Sequence, residues 1–283
     1  MKRNTDRRTV VVTGASAGIG RGIAEHLGRL GWSVALGARR VDALQEVAKE
    51  IGEAGGKGFA HHLDVGSAES IEEFFAAVET ELGPISAVVN NAAAARYGPF
   101  WTFTPEEIKQ EIDTKLLGSL LVARAGILAM QRNGVQGDIL FMTSLAAQTP
   151  WPHHLPYAAA NAGVEHAVRT MKLELEGSGI RLHTLRCDST MGTEFAVREA
   201  EAGRVMPAME VWFRHGLLRH GGALTVDQVA EAVVEALTLP QGLQYDIFTL
   251  TPIAPTGALP GSWEAFQQLI LQAAPDLEVK IKE

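Results

Sequence analysis

Residues 10–27 read VVVTGASAGIGRGIAEHL, and no other segment constrains the architecture as strongly. Thr9–Thr13 (TVVVT) is short and β-branched, as a buried strand should be. It runs into TGASAGIG, in which Gly14, Gly18 and Gly20 fall between that strand and a helix-compatible stretch from Arg21 to Leu30. A glycine-rich turn at this junction lets backbone N–H groups approach a pyrophosphate, and the helix N-terminus adds a favourable field for the anion. Glycines also serve plain tight turns. Their position between a first strand and the helix it opens favours the phosphate reading.

Outward from this turn the chain alternates strand and helix. Strands are expected at Ser33–Leu36, Gly58–Leu63, Ile85–Val89, Asp138–Met142, Ile180–Leu185 and Tyr245–Leu250. Helices are expected at Val41–Glu53, Ser67–Leu82, Pro105–Arg132, Pro156–Gly177, Thr225–Leu237 and Trp263–Ala273. Short connections and nearly continuous apolar strands predict an α/β fold, a Rossmann-like doubly wound parallel sheet with helices on both faces. No repeat or linker divides the chain, so residues 1–283 read as one domain. A mixed segment at about 186–222 is expected to lie over a site as a lid, with a C-terminal extension from about 251 to 283. The net charge of −8 argues against a nucleic-acid surface. The single cysteine, Cys187, excludes an internal disulfide and a cysteine-built zinc site. The histidine spacing does not support a metal. The basic start MKRNTDRR is followed by no apolar run, and no stretch is long enough to span a bilayer. A cytoplasmic protein without a membrane partner is expected.

The TGxxxGxG turn resembles that of the short-chain dehydrogenase/reductase family, and further matches follow in order from Thr9 to about Leu250. Asp64-Val65 resembles the family's adenine contact. Asn90–Ala93 (NNAA) resembles its NNAG, and Tyr157 lies thirteen residues after Ser144, the family's serine-to-tyrosine spacing. The resemblance implies a nicotinamide cofactor held by Gly14, Ser16, Gly18, Ile19, Gly20, Asp64, Val65, Asn91 and Ala92. Thr193 is then the counterpart of the threonine that bonds the carboxamide. After the second strand, GARR (Gly37–Arg40) carries no acid for a ribose 2′-OH. Arg39 and Arg40 instead offer planar donors for a 2′-phosphate, which predicts NADP(H). Ala17 lacks the second basic residue that many NADP-binding relatives carry inside the loop.

In such relatives Asn, Ser, Tyr and Lys act together. Ser144 and Tyr157 match, but YAAAN puts Asn161 on the lysine position and EIDTKLLG puts Lys115 on the asparagine position. Two readings stay open. In the first, Lys115 serves the same pocket from its new place while Asn161 holds ribose. A cation about 5 Å from a phenol, at an effective dielectric near 20, is worth roughly 3 kcal/mol, or about two pKa units. In the second, the site is degraded and binds nucleotide with little turnover. The bland alternative for Lys115 is a solvated lysine on a helix surface.

His153-His154, in the loop WPHHLP, borders substrate in the family, although plain loop surface is the simpler expectation. Cys187-Asp188 replaces the family's Pro-Gly, so this loop should be reshaped. Met206, Met209, Val211, Trp212 and Phe213 either contact an apolar substrate or pack on the protein itself. The leading expectation is an NADPH-dependent carbonyl reductase or secondary alcohol dehydrogenase acting on a small molecule. A non-redox isomerase or lyase and an NADP-binding sensor are the alternatives. The small residues of YAAANAG (Tyr157–Gly163) also predict a homodimer or homotetramer through close helix approach.

Overall fold

The computed structural model describes residues 7–257 and 259–273. Residues 1–6, 258 and 274–283, including much of the expected C-terminal extension, lie outside the described residues. Among the described residues the chain builds one seven-stranded sheet, every neighbouring pair parallel, in the order β3-β2-β1-β4-β5-β6-β7. The strands are β1 (Thr9–Thr13), β2 (Ser33–Ala38), β3 (Lys57–His62), β4 (Ala87–Asn90), β5 (Asp138–Ser144), β6 (Arg181–Cys187) and β7 (Ile247–Leu250). Between them run α1 (Gly18–Arg29), α2 (Val41–Glu53), α3 (Ala68–Leu82), α4 (Pro105–Ile112), α5 (Gly118–Arg132) and α6 (Leu155–Glu174). After β6 come α7 (Glu194–Glu201), α8 (Val205–Arg214) and α9 (Val226–Leu237), and α10 (Trp263–Ala273) follows β7.

Strand alternation divides the core. Val10 and Val12 of β1 pack with Ile23 and Leu27 of α1 on one face, while Val11 packs with Phe74 and Val122 on the other. Both faces are therefore covered, as continuous apolar strands require. Local signals set several helix starts. Ser67 caps α3, and Thr104 forms a capping box with Glu107 ahead of Pro105 in α4.

The structure differs from expectation at one helix and at several strand ends. The helix expected over Pro105–Arg132 is interrupted by a π-helical segment, Asp113–Leu117, between α4 and α5. Lys115 lies in that segment and is only 2% exposed, so it is not a helix-surface lysine. The expected lid is helical over much of its length, and it carries α7 and α8. Strand boundaries also shift by a few residues: β5 reaches Ser144 and β6 reaches Cys187, which brings both residues to the carboxyl edge of the sheet.

At the opposite, amino edge, buried Asp138 gathers Arg8, Arg181 and His183. Arg8 and Arg181 also donate to the carbonyls of Leu237 and Leu243, fastening β5 to the chain that enters β7. A cavity of about 600 Å³ lies here. Its lining carries more basic than acidic side chains, and none of the sequence-predicted site residues lines it.

Candidate active site

The strand order reverses between β1 and β4, and an open α/β sheet binds ligands at that point, outside the carboxyl ends of the strands. Thr13 Oγ1 accepts hydrogen bonds from the backbone N–H groups of Asn91 and Ala92, both at 3.0 Å, and Asn91 Nδ2 donates to the Thr13 carbonyl at 2.9 Å. These bonds tie the two strand ends together. The glycine turn is equally tight: Gly14 has φ +68°, and a Cβ on Gly20 would lie 2.3 Å from the Gly14 carbonyl oxygen. Any side chain at Gly20 would force the turn open. Ile19 packs on the core beneath. The N-terminus of α1 has no side-chain cap and no acid in its first turn, so its first N–H groups stay available to an anion.

The flanks of the crevice are ordered as well. Asp64 Oδ1 accepts from the Gly66 N–H at 2.9 Å, which folds its carboxylate into its own turn. Val65 packs under the start of α5, where a Cβ on Gly118 would come within 2.9 Å of it. Arg39 and Arg40 are exposed beyond β2. Arg40 reaches the glycine turn by donating to Ser16 Oγ at 3.0 Å. Thr193 caps α7 and rests over Gly18, with its Cα 3.5 Å from where a Cβ on that glycine would stand.

Across the crevice, α6 presents Tyr157 and Asn161 on one face, four residues apart. Ser144, at the end of β5, and Asn161 lie within polar reach of the Tyr157 phenol. Burial pushes that phenol up to about 12; Ser144 and Asn161 oppose the rise, and Cys187 and Glu111 add to it. Asn161 is fully buried. Its Nδ2 donates to the Tyr157 carbonyl at 2.8 Å, and its Oδ1 has no partner. Lys115 donates to the Met142 carbonyl, next to Cys187. Burial lowers its ammonium to about 8, with Cys187 opposing, and the same burial lifts the Cys187 thiol to about 12. The structure thus gathers Ser144, Tyr157 and Asn161 around one hydroxyl and turns Lys115 toward a β5 carbonyl. One turn further along α6, Glu165 holds Arg186 of β6 through two hydrogen bonds of 3.0 and 2.6 Å, so that cation is already committed.

Sequence reasoning missed how the pocket is walled. His154 is not loop surface. It is buried, and its ring stacks on Tyr157 with centroids 4.3 Å apart and planes 11° from parallel. Burial pushes its imidazole down to about 3, so it is neutral at pH 7. Tyr97 meets His154, Phe195 and Trp212 edge-on, at 4.8, 4.9 and 4.9 Å. Trp212 Nε1 donates to the Pro152 carbonyl at 2.6 Å, pinning α8 to the loop ahead of α6. Trp212 therefore faces the site, whereas Phe213 packs on Trp263 and Phe266 of α10. Two carboxylates complete the wall. Glu199 holds Arg204 and the Tyr97 N–H, and Glu111 is pushed up to about 7 by burial, with neither oxygen in a completed hydrogen bond. The prolines around His153-His154 were the available signal, because they restrain a loop that must enter the interior.

A nicotinamide dinucleotide fits these residues. The uncapped α1 terminus faces the glycine turn, two arginines lie beyond β2, and the unpartnered Asn161 Oδ1 is an acceptor suited to a sugar hydroxyl. The described residues hold no cluster of three or more His, Cys, Asp or Glu able to bind a metal. No helix among them is long and apolar enough to cross a membrane.

Residues 8–202 match the family model described as short chain dehydrogenase. The chain belongs to the short-chain dehydrogenase family. These are oxidoreductases that act on alcohol and carbonyl groups. One relative, the 3beta-hydroxysteroid dehydrogenase 1 of Eggerthella lenta, is 30% identical over 244 residues, covering 83% of this chain and 93% of the relative. Among solved structures, the alcohol dehydrogenase of Thermococcus sibiricus complexed with 5-hydroxy-NADP superposes with a TM-score of 0.73 at 30% identity, over 89% of this chain and 100% of that one. A serine dehydrogenase complexed with NADP+ gives a TM-score of 0.75 at 28% identity, over 88% and 98% of the two chains.

Proposed function

We propose that the chain is an NADP(H)-dependent carbonyl reductase, working in reverse as a secondary alcohol dehydrogenase, on a small apolar substrate. The observation that carries this reading is the Tyr157 phenol, held protonated beside Ser144 at the carboxyl edge of the sheet and walled by aromatic rings. A phenol near 12 keeps its proton at pH 7, which suits an acid that protonates a carbonyl oxygen better than a base that deprotonates an alcohol. When bound, the nicotinamide supplies the hydride. Ser144 orients the substrate oxygen by hydrogen bonding, and Tyr157 gives it the proton. Asn161 Oδ1 accepts from a ribose hydroxyl, Lys115 supplies positive charge to the floor of the pocket, and Thr193 meets the carboxamide. Arg39 and Arg40 take the 2′-phosphate, a reading supported by several solved relatives that are complexed with NADP or 5-hydroxy-NADP. Tyr97, His154, Phe195 and Trp212 select an apolar substrate body.

The test follows NADPH absorbance with a panel of ketones, aliphatic to polycyclic. Consumption of NADPH that Tyr157→Phe abolishes, with cofactor affinity intact, supports the reading. NADPH binding without turnover of any ketone favours the sensor. Product without a change in the absorbance band favours the isomerase or lyase.

A further inference from the structure

The guanidinium best placed to serve the glycine turn already has an anion on it. Arg40 Nη1 donates to Glu194 Oε1 at 2.5 Å and Nη2 to Glu194 Oε2 at 2.6 Å, a bidentate pair, while Nη2 also donates to Ser16 Oγ at 3.0 Å. Glu194 is the first residue of α7, immediately after Thr193, whose backbone rests over Gly18. The lid therefore reaches across the mouth of the crevice and places a carboxylate on Arg40. By contrast, Arg39 makes no ion pair with another described residue.

From this juxtaposition, and resting on the NADP(H) reading, we propose that Glu194 tempers the preference for NADP(H) as an internal competitor for the 2′-phosphate. It occupies the two donors of Arg40 that would clasp that phosphate, and binding of the phosphate exchanges one anion for the other and releases the first turn of α7. The exchange is accessible because the pair is weak: both side chains are about half exposed, at 52% and 55%, where ion pairs contribute little. A phosphate also forms bidentate bonds to arginine and carries more charge than a carboxylate, so it wins the exchange. A ribose without the phosphate brings no anion and leaves the pair closed. Glu194 thus lowers the affinity for NADP(H) by a modest factor and couples the position of the lid to which cofactor has bound.

Calorimetry with adenosine 2′,5′-bisphosphate and with 5′-AMP tests this without turnover. Glu194→Gln is expected to tighten the bisphosphate by up to about fivefold, the most an exposed ion pair commonly contributes, and to leave 5′-AMP unchanged. In an Arg40→Ala background the same substitution is expected to do nothing, since the contested donors are gone. Hydrogen exchange over residues 194–201 of the unsubstituted protein is expected to rise with saturating bisphosphate relative to saturating 5′-AMP. If the unsubstituted protein binds the two nucleotides equally, the NADP(H) reading fails and this proposal falls with it. If it prefers the bisphosphate but Glu194→Gln leaves that affinity unchanged or weaker, the cofactor reading stands and the competitor is refuted. Equal exchange in α7 with both nucleotides refutes the coupling to the lid.

Discussion

Replacing Lys115 with methionine should make the protein more stable and less active. The ammonium sits in the interior, 2% exposed, with the Met142 carbonyl and the Cys187 thiol beside it and no carboxylate partner. Burial lowers it from an ordinary 10.5 to about 8, and a difference of that size is worth about 3 kcal/mol. The sign follows from proton binding. Between pH 8 and 10.5 the unfolded chain keeps the lysine proton and the folded chain has released it, so stability rises with pH across that window. Below pH 8 the full cost of burying the charge applies. Methionine removes that cost and nearly conserves volume, but it leaves the Met142 carbonyl without its donor, a loss of about 1 kcal/mol. The net gain at pH 7 is about 2 kcal/mol, shrinking to nothing or reversing near pH 10.5. Urea titrations of the two proteins at pH 7, 8.5 and 10 measure it. The variant should gain midpoint at pH 7 and lose that advantage by pH 10, while its turnover falls. Parallel stability curves across this range would refute the idea that a charged lysine is buried at a cost, and undiminished turnover would remove the reason for keeping it there.

Lys115→Asn combined with Asn161→Lys should rebuild the ordinary family arrangement and retain or raise ketone turnover, with each single change doing worse than the pair; additive losses count against coupling between the sites. Arg39→Ala should erase much of the preference for NADPH over NADH, by roughly 1.5–3 kcal/mol for a charge-assisted contact, as read by the two dissociation constants. Burial alone would raise Asp138, but the His183 hydrogen bond together with Arg8 and Arg181 holds it down at about 2. Its contribution to stability is therefore complete above about pH 4 and lost as the pH falls toward 2, and Asp138→Asn should flatten that part of an acid-unfolding curve. Light scattering at micromolar concentration should give at least a dimer mass, and a monomer there would contradict assembly through the α6 face.

Much of the fold was legible in the residues. The run Thr9–Thr13, the glycine turn and the strand–helix alternation required a parallel sheet with both faces covered, because strands apolar on every residue have no face to give to water. The thirteen-residue step from Ser144 to Tyr157 carried a resemblance to the family's spacing, and the structure brings the two side chains within reach of each other. The four-residue step to Asn161 is a property of any helix. The orientation of Lys115 lay beyond such reasoning. Periodicity assumes about 100° per residue, and the π-helical turn at Asp113–Leu117 adds a residue to the helix circumference, changing the face on which Lys115 emerges. That turn is held by packing against α4 and α6, which local sequence does not encode. The same limit applies to the aromatic wall and to the Arg40–Glu194 pair. Tyr97 and His154 come from two loops and Phe195 and Trp212 from the helices α7 and α8, all far apart in the chain, and Arg40 and Glu194 are 154 positions apart. Composition and spacing determine which elements form and which ends of them meet. Which side chains then compete for one charge or close over one hydroxyl was decided only by the tertiary structure, because interactions between distant segments depend on positions that no local pattern carries.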